Sequence, residues 1–169
     1  MTDGLSCTSP MPLAWHPVHL DENTRQNLLR EATLLLIALN QMESTHEQDS
    51  GGTENRRLER LEAKLDLALH LLARALEPGP PSTTRSVVLS PLGVEWNDEQ
   101  APAAGTLVIL ELRPSAHLPL TLRLPAVARE PLPGQARVSL VDLPEALDDA
   151  LHQFVFRRHR QAIRARAGG

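Results

Sequence analysis

The sequence predicts an α+β fold in which a long helical hairpin comes first, followed by a small antiparallel β-barrel and a C-terminal helix. Apolar residues recur at helical spacing in two long segments of the first half. After a proline-rich linker the pattern changes to the alternation typical of β-strands, and a last segment returns to helical spacing. We therefore expect a flexible N-terminal segment, a helical oligomerisation region, a linker, and a barrel with its closing helix over residues 1–20, 21–77, 78–85 and 86–169.

The composition favours a cytoplasmic protein without disulfides. A chain of 169 residues buries roughly 70% of its unfolded surface and needs no covalent staple. The single cysteine, Cys7, cannot form a disulfide within one chain, which favours a reducing compartment. The N-terminus lacks the basic start and apolar core of a signal peptide. The longest apolar run, over 34–39, is far shorter than the roughly 20 residues of a membrane span.

The first helical segment is DENTRQNLLREATLLLIALNQME, which begins at residue 21. Asp21 or Asn23 can cap its N-terminus with a side-chain oxygen. Apolar residues surround its second half, because Leu34, Leu36 and Ile37 point away from the side formed by Leu28, Leu35, Leu39 and Met42. We expect this helix to be buried on several sides.

The second helical segment spans 54–77 and carries two apolar stripes on opposite sides. The main stripe consists of Leu58, Leu61, Leu65, Leu69, Leu72 and Leu76. The opposite stripe consists of Leu67 and Leu71. Two apolar stripes need two partners, and we expect these to be the first helix and a copy of the same helix from another chain, as in a coiled coil or bundle. The alternative is an ordinary intrachain hairpin in which one helix is more apolar than usual.

The linker PGPPSTT over 78–84 ends this helix, and β-strand patterns follow it. In HLPLTLRLP, leucines alternate with other residues, which is typical of a strand with one buried face. Several short strands with turns between them predict a small antiparallel barrel. The strand candidates are 86–89, 94–96, 106–112, 117–124 and 136–143.

The closing helix begins at about Pro144 and ends in an arginine-rich stretch that contains no carboxylate after Asp149. Clustered arginine attracts phosphate or an acidic partner, and the candidates for such a contact are Arg157, Arg158, Arg160 and Arg164. The alternative is a solvated helix end, or arginines that pair with the acidic flank of a neighbouring helix. The net charge of −4 and the scarcity of aromatic residues make nucleic acid the less favoured partner.

Three stretches in this order resemble the PilZ domain, and more closely its atypical tetrameric branch. RLERLEAKLDLALHLLARAL looks like the long oligomerising helix of that branch, VVLSPLGVEW like the first barrel hairpin, and ALHQFVFRRHRQAIR like the closing helix. The resemblance implies a six-stranded barrel preceded by two long helices, and assembly into a tetramer. It also implies a bacterial protein of cyclic di-GMP signalling, in a type IV pilus or motility setting with a protein partner.

The resemblance also implies a degenerate ligand site. PilZ domains that bind cyclic di-GMP carry Arg-x-x-x-Arg ahead of the first strand and (Asp/Asn)-x-Ser-x-x-Gly at the first turn. Ser90 and Gly93 match the second motif, but Val88 replaces its acidic or amide residue, and only Arg85 is available for the first. We attribute Gly93 to a tight turn with positive φ. Binding of cyclic di-GMP is therefore expected to be weak or absent.

Two other functions stay open at this stage. One is a genuine cyclic di-GMP receptor whose missing arginine is replaced by C-terminal arginines folded back near the hairpin. The other is a nucleic-acid or acidic-partner binder. An enzyme is not expected, because no nucleophile elbow, phosphate loop or paired metal motif occurs. His16 and His19 have no accompanying cysteine pair, so no metal or other cofactor is expected.

Overall fold

The computed structural model describes residues 4–45, 54–75, 82–116 and 120–167. The strands within these ranges are β1 (Cys7–Pro17), β2 (Thr83–Ser90), β3 (Gly93–Asn97), β4 (Leu107–Leu112), β5 (Leu122–Ala128) and β6 (Gln135–Ser139). The helices are α1 (Glu22–Thr45), α2 (Glu54–Ala75) and α3 (Glu145–Ala167). The chain is therefore of the α+β class, as predicted.

The strands form a closed antiparallel barrel in the order β1-β2-β3-β6-β5-β4. Pairing of β1 with both β2 and β4 closes it. Alternate residues point inward, so that Val87 and Leu89 of β2 and Val94 and Trp96 of β3 are buried. This confirms the six-stranded antiparallel barrel implied by the resemblance.

The first strand corrects the expectation of a flexible segment over 1–20 and of helices that precede the barrel. Residues 7–17 form β1, so α1 and α2 are inserted between two neighbouring strands of the barrel. Prolines hid this strand in the sequence. Pro10 and Pro12 lie in the half of β1 that pairs with β2, while the other half pairs with β4. Each half thus has one side without a strand partner, where a missing N–H costs no ladder hydrogen bond.

Two predicted strands differ in position from the observed ones. The candidate 117–124 corresponds to β5, which begins and ends later, and residues 117–119 lie outside the described ranges. The candidate 136–143 corresponds to the shorter β6. The predicted linker 78–85 overlaps the start of β2, and residues 76–81 also lie outside the described ranges.

Helix α1 begins at the predicted cap, and its fully buried apolar residues share one face. The Asp21 carboxylate accepts hydrogen bonds from the Thr24 N–H at 2.8 Å and from its hydroxyl at 2.7 Å. The buried side faces β5 and α3 and consists of Leu29, Ala32, Leu35, Leu36 and Leu39. Helix α1 contacts β5, α3 and α2, but Leu34 and Ile37 are exposed, so the expectation that its second half is buried on several sides is wrong for these two residues.

Helices α1 and α3 lie side by side and run in the same direction. Near the start of α1, Arg25 donates to the carbonyls of Val141 and Asp142, just before α3. Near its end, Asn40 donates to the Ala150 carbonyl at 2.9 Å and accepts from Arg157. Helix α2 contacts α1, but the residues that connect them, 46–53, lie outside the described ranges, so the predicted hairpin stays a prediction.

One carboxylate, that of Asp98, joins three consecutive strands at one end of the barrel. Its Oδ2 accepts hydrogen bonds from the indole N–H groups of Trp15 in β1 and Trp96 in β3, each at 3.1 Å. The same oxygen lies 3.3 Å from Nη1 of Arg85 in β2. The Asp98 side chain is only 9% exposed, so all three contacts are shielded from solvent.

These contacts determine the ionisation of Asp98. Burial alone would raise its pKa, but hydrogen bonds from the Gln100 N–H and the two indoles, together with the charge of Arg85, lower the pKa below its ordinary value. Because the folded state has the lower pKa, the carboxylate stabilises the fold at neutral pH. That stabilisation is lost as the pH falls from the unfolded value of about 3.9 through the folded one.

The substitution Asp98→Asn should lower the free energy of unfolding by about 1–3 kcal/mol at pH 7, because an amide cannot accept from two indoles and also neutralise Arg85. Trp15 and Trp96 are the only tryptophans, so urea unfolding followed by their fluorescence reports on this cluster directly. Asp142→Asn, at an exposed aspartate, is the matched control and should change stability by less than about 0.5 kcal/mol. Equal stabilities of the two variants would contradict a structural role for Asp98.

Candidate functional site

The β2–β3 hairpin contains the SPLG turn, and the hydroxyl of Ser90 in this turn already has hydrogen-bond partners. Ser90 pairs with Gly93 across the turn. The Ser90 hydroxyl donates to the Gly93 carbonyl at 3.0 Å and accepts from the Gly93 N–H at 3.1 Å. Both hydrogen bonds are internal to the turn, so the hydroxyl stabilises the hairpin without any ligand.

An open cavity of about 610 Å³ lies beside this hairpin on the outer side of the barrel. It is bounded by the hairpin, β6, residues 4–6 and the first half of α3. Val88 and Ser90 point into it from β2, since they alternate with the inward residues of that strand. Its charged or titratable lining residues are Glu95, Arg129, Arg137 and His152.

The charges around this cavity are partly paired with one another. Arg137 Nε lies 3.1 Å from Glu95 Oε1 across the β3–β6 pair, and Gln135 donates to the same carboxylate at 3.2 Å. His152 lies 3.6 Å from a carboxylate oxygen of Asp148. Arg129 is exposed, and within the described ranges its guanidinium has no hydrogen-bond or ion-pair partner. Arg129 is therefore the cation best placed to meet an anion here.

A second surface feature is the leucine row on α2. The side chains of Leu58, Leu61, Leu65 and Leu69 are between 56% and 63% exposed. Leu67, about 180° away around the helix, is 4% exposed where α2 contacts α1. Leu67 therefore packs within the chain, while the four described leucines of the main stripe face solvent. The side chain of Leu72 and the whole of Leu76 lie outside the described part of the structure.

Comparison with known proteins identifies the family. The family described as atypical PilZ domain, cyclic di-GMP receptor, matches residues 34–167. This chain belongs to the atypical PilZ domain family. It is also similar to a solved structure from Xanthomonas campestris, a pathogenic protein described as a tetrameric PilZ domain self-assembled via an unusual helical bundle. That match has 28% identity and a TM-score of 0.74, and covers 96% of this chain and 92% of the other. A comparison with curated proteins gives no match.

Gly93, the glycine of the second PilZ motif, is required for a different structural reason from the one expected. Among the described glycines, positive φ occurs at Gly105 and Gly134, and Gly93 does not share it. A Cβ on Gly93 would instead collide with the backbone carbonyl oxygen of Val138 in β6. The expectation of a positive-φ turn was therefore wrong, and the close approach of a neighbouring strand requires the glycine.

Arg85, the remaining arginine of the first PilZ motif, lies on the wrong side of β2 for this cavity. It is five residues from Ser90, and successive residues alternate between the faces of a strand, so the two side chains point to opposite faces. Besides the Asp98 carboxylate, Arg85 donates to the Asn97 carbonyl at 2.9 Å. Arg85, Ser90 and Gly93 therefore do not converge on one site.

Arg157 and Arg158 connect α3 to other described parts of the chain. Arg157 and Arg158 both contact the Glu43 carboxylate of α1, at 3.4 and 2.8 Å. Arg158 also donates to the Pro114 carbonyl at 2.9 Å. Arg160 and Arg164 lie further along the helix and are exposed. Within the described residues, none of the four lines the cavity beside the β2–β3 hairpin, so the alternative receptor in which C-terminal arginines replace the missing clamp lacks those contacts here.

Sequence reasoning missed Arg129 and Arg137, because it considered only arginines ahead of the first strand and in the last helix. The signal lay in β6, where Arg137 sits at an outward position opposite Glu95. Within the described residues, no group of three or more histidine, cysteine or carboxylate side chains could hold a metal ion. None of the helical stretches in those residues combines the length and apolarity that crossing a bilayer requires.

The substitution Gly93→Ala should destabilise the protein by about 1–3 kcal/mol, because its methyl group must push β6 away from β3. Chemical unfolding measures this effect in the absence of any nucleotide. The control is Gly105→Asn, at a glycine with positive φ and nothing within 4 Å of an added Cβ; asparagine tolerates that conformation. If Gly93→Ala were as stable as wild type, a ligand rather than packing would explain this glycine.

Proposed function

We propose that this chain is a non-enzymatic, self-associating regulatory or scaffold protein of cyclic di-GMP signalling, with weak or no binding of cyclic di-GMP. Membership of the atypical PilZ family supports the signalling setting. A cytoplasmic location and a protein partner in type IV pilus or motility machinery are further parts of the proposal. The observation that carries it is the exposed row of four leucines on α2.

The leucine row supports assembly through α2. An exposed apolar row of this length is unfavourable in water, and burying each leucine yields about 1.5–3 kcal/mol. The relative from Xanthomonas campestris is a tetramer held by a helical bundle, and we propose the same assembly here. The proposed contact residues are Leu58, Leu61, Leu65, Leu69, Leu72 and Leu76.

The double substitution Leu65→Glu with Leu69→Glu should weaken self-association by at least about 100-fold, because it places two charges in an apolar contact. Sedimentation velocity should give a mass close to 18.6 kDa for this variant. Lys64→Glu, at an exposed position off the leucine row, is the control and should assemble as wild type does. A double variant with the wild-type mass and an unchanged helical circular-dichroism spectrum would overturn the proposed assembly.

The low affinity for cyclic di-GMP is supported by the cavity itself. Val88 presents a methyl surface where the family motif has an amide or a carboxylate, and Arg85 is committed to Asp98. Each charge-assisted hydrogen bond lost costs about 1.5–3 kcal/mol. Loss of two such contacts corresponds to about 100-fold lower affinity or more.

Titration calorimetry with cyclic di-GMP should therefore detect no binding in the sub-micromolar range. One observation favours the receptor alternative, namely that Arg129 at the cavity has no partner among the described residues. If Arg129 replaces the lost clamp, Arg129→Ala should abolish sub-micromolar binding that the wild-type protein shows. Arg113→Ala, at an exposed arginine that does not line the cavity, should leave such binding intact. That pair of results would establish a receptor and overturn the low-affinity part of the proposal.

A further inference from the structure

A groove lies between α1 and α3 and is bordered at one end by Arg56 and Glu59 at the start of α2. It consists of two cavities of about 600 and 240 Å³, which share Ser44 and Gln153 as lining residues. Ile37 of α1 lines the larger cavity and Phe156 of α3 the smaller, and both side chains are partly exposed. We call this feature the α1–α3 groove.

The C-terminal end of the α1–α3 groove is basic. Arg160 and Arg164 line it, and no carboxylate follows Asp149 in the sequence. The Arg160 guanidinium lies over the Phe156 ring, 5.7 Å from its centre. Residues 159–167 of α3 are all exposed. Helical segments in proteins derive most of their stability from packing, so this end of α3 has the character of a surface that a partner covers.

Helix α2 carries complementary charge next to its leucine row. Glu59, Glu62 and Asp66 form an acidic flank within about 100° of that row. All three are exposed, and within the described residues none has an ion-pair partner. Glu59 also lines the α1–α3 groove, so the acidic flank lies on the groove side of α2.

We propose that the α1–α3 groove receives helix α2 of a second protomer, with the acidic flank of that helix against Arg160 and Arg164. The inference rests on the proposed self-association through α2 and extends it by a second, electrostatic contact. Because Glu59 borders the groove, a helix that covers the leucine row of α2 from that side lies next to the groove. Ile37 and Phe156 there offer apolar contact, and the arginines beyond them match the charge of the flank.

A second copy fits the groove better than nucleic acid does. The groove combines exposed apolar side chains with arginine, whereas a phosphate backbone offers no apolar surface to Ile37 or Phe156. The net charge of the chain, −4, also opposes a long-range attraction of polyanions. Both groups that meet in the proposed contact, the acidic flank and the basic groove end, occur in every copy of the chain.

The test uses two charge-reversed variants of the full chain. The first carries R160E and R164E, and the second carries E62R and D66R. Each alone should associate about ten-fold more weakly than wild type at low salt, because like charges meet across both copies of the contact. An equimolar mixture of the two should regain assembly, since every α2–groove contact between unlike variants pairs opposite charges again. Sedimentation velocity at low salt measures all three samples.

Arg166→Glu is the matched control, because Arg166 is exposed on the same helix end but does not line the groove; it should assemble as wild type does. A mixture that stays as weakly associated as its components would overturn the inference. So would an R160E/R164E protein with the wild-type mass, and if it had also lost retardation of mixed-sequence duplex DNA the groove would be a nucleic-acid site. In either case dissociation of the Leu65→Glu, Leu69→Glu protein would still support the proposed function.

Discussion

The pairing of β1 with β2 constrains the rest of the molecule. These strands are neighbours in the barrel although α1 and α2 separate them in sequence, so the helical insertion is attached to the barrel at both ends. The Asp98 cluster reinforces that attachment, because it connects Trp15 of β1 to Arg85 of β2. Helix α1 packs on the barrel and on α3, and α2 packs on α1 through Leu67. Leu58, Leu61, Leu65 and Leu69 then stay exposed within the described chain.

Three arginines of this chain have structural roles in the fold. Arg85 stabilises the end of the barrel, and Arg157 and Arg158 join α3 to Glu43 at the end of α1. Guanidinium groups that would attract phosphate elsewhere are thus committed to carboxylates and carbonyls of the chain. The residues of the turn also have partners within the chain. The Ser90 hydroxyl hydrogen-bonds to Gly93, and Gly93 leaves room for β6. Ser90 and Gly93 therefore have structural roles that do not depend on a ligand.

Local chemistry made part of this structure predictable. Three features depend on neighbouring residues only: the Asp21 cap, the proline before α3, and the change of apolar period at the linker. The leucine row was also predictable, since helical geometry alone places those residues together. Strand β1 was missed because its prolines hide the alternation, and they are tolerated only in the way this barrel pairs. Position 93 requires glycine because β6 approaches it closely, and no local sequence pattern reveals that contact.

In the candidate ligand site, one feature could have been read from the sequence and two others could not. That Arg85 and Ser90 point to opposite faces follows from their odd spacing in one strand, so the sequence already contained that correction. The ion pair between Arg85 and Asp98 could not be predicted from the sequence, because β1, β2 and β3 must pair before the Asp98 carboxylate meets its partners. Arg129 likewise reaches the cavity only once β5 and β6 lie beside the hairpin.

The most direct test of the central claim is the mass of the unmodified chain in solution, determined by sedimentation velocity over a wide range of protein concentration. If the leucines of α2 are covered by other copies, the dominant species should have a multiple of 18.6 kDa, and a fourfold mass would match the Xanthomonas campestris relative. A single species of 18.6 kDa at every concentration would contradict assembly through α2.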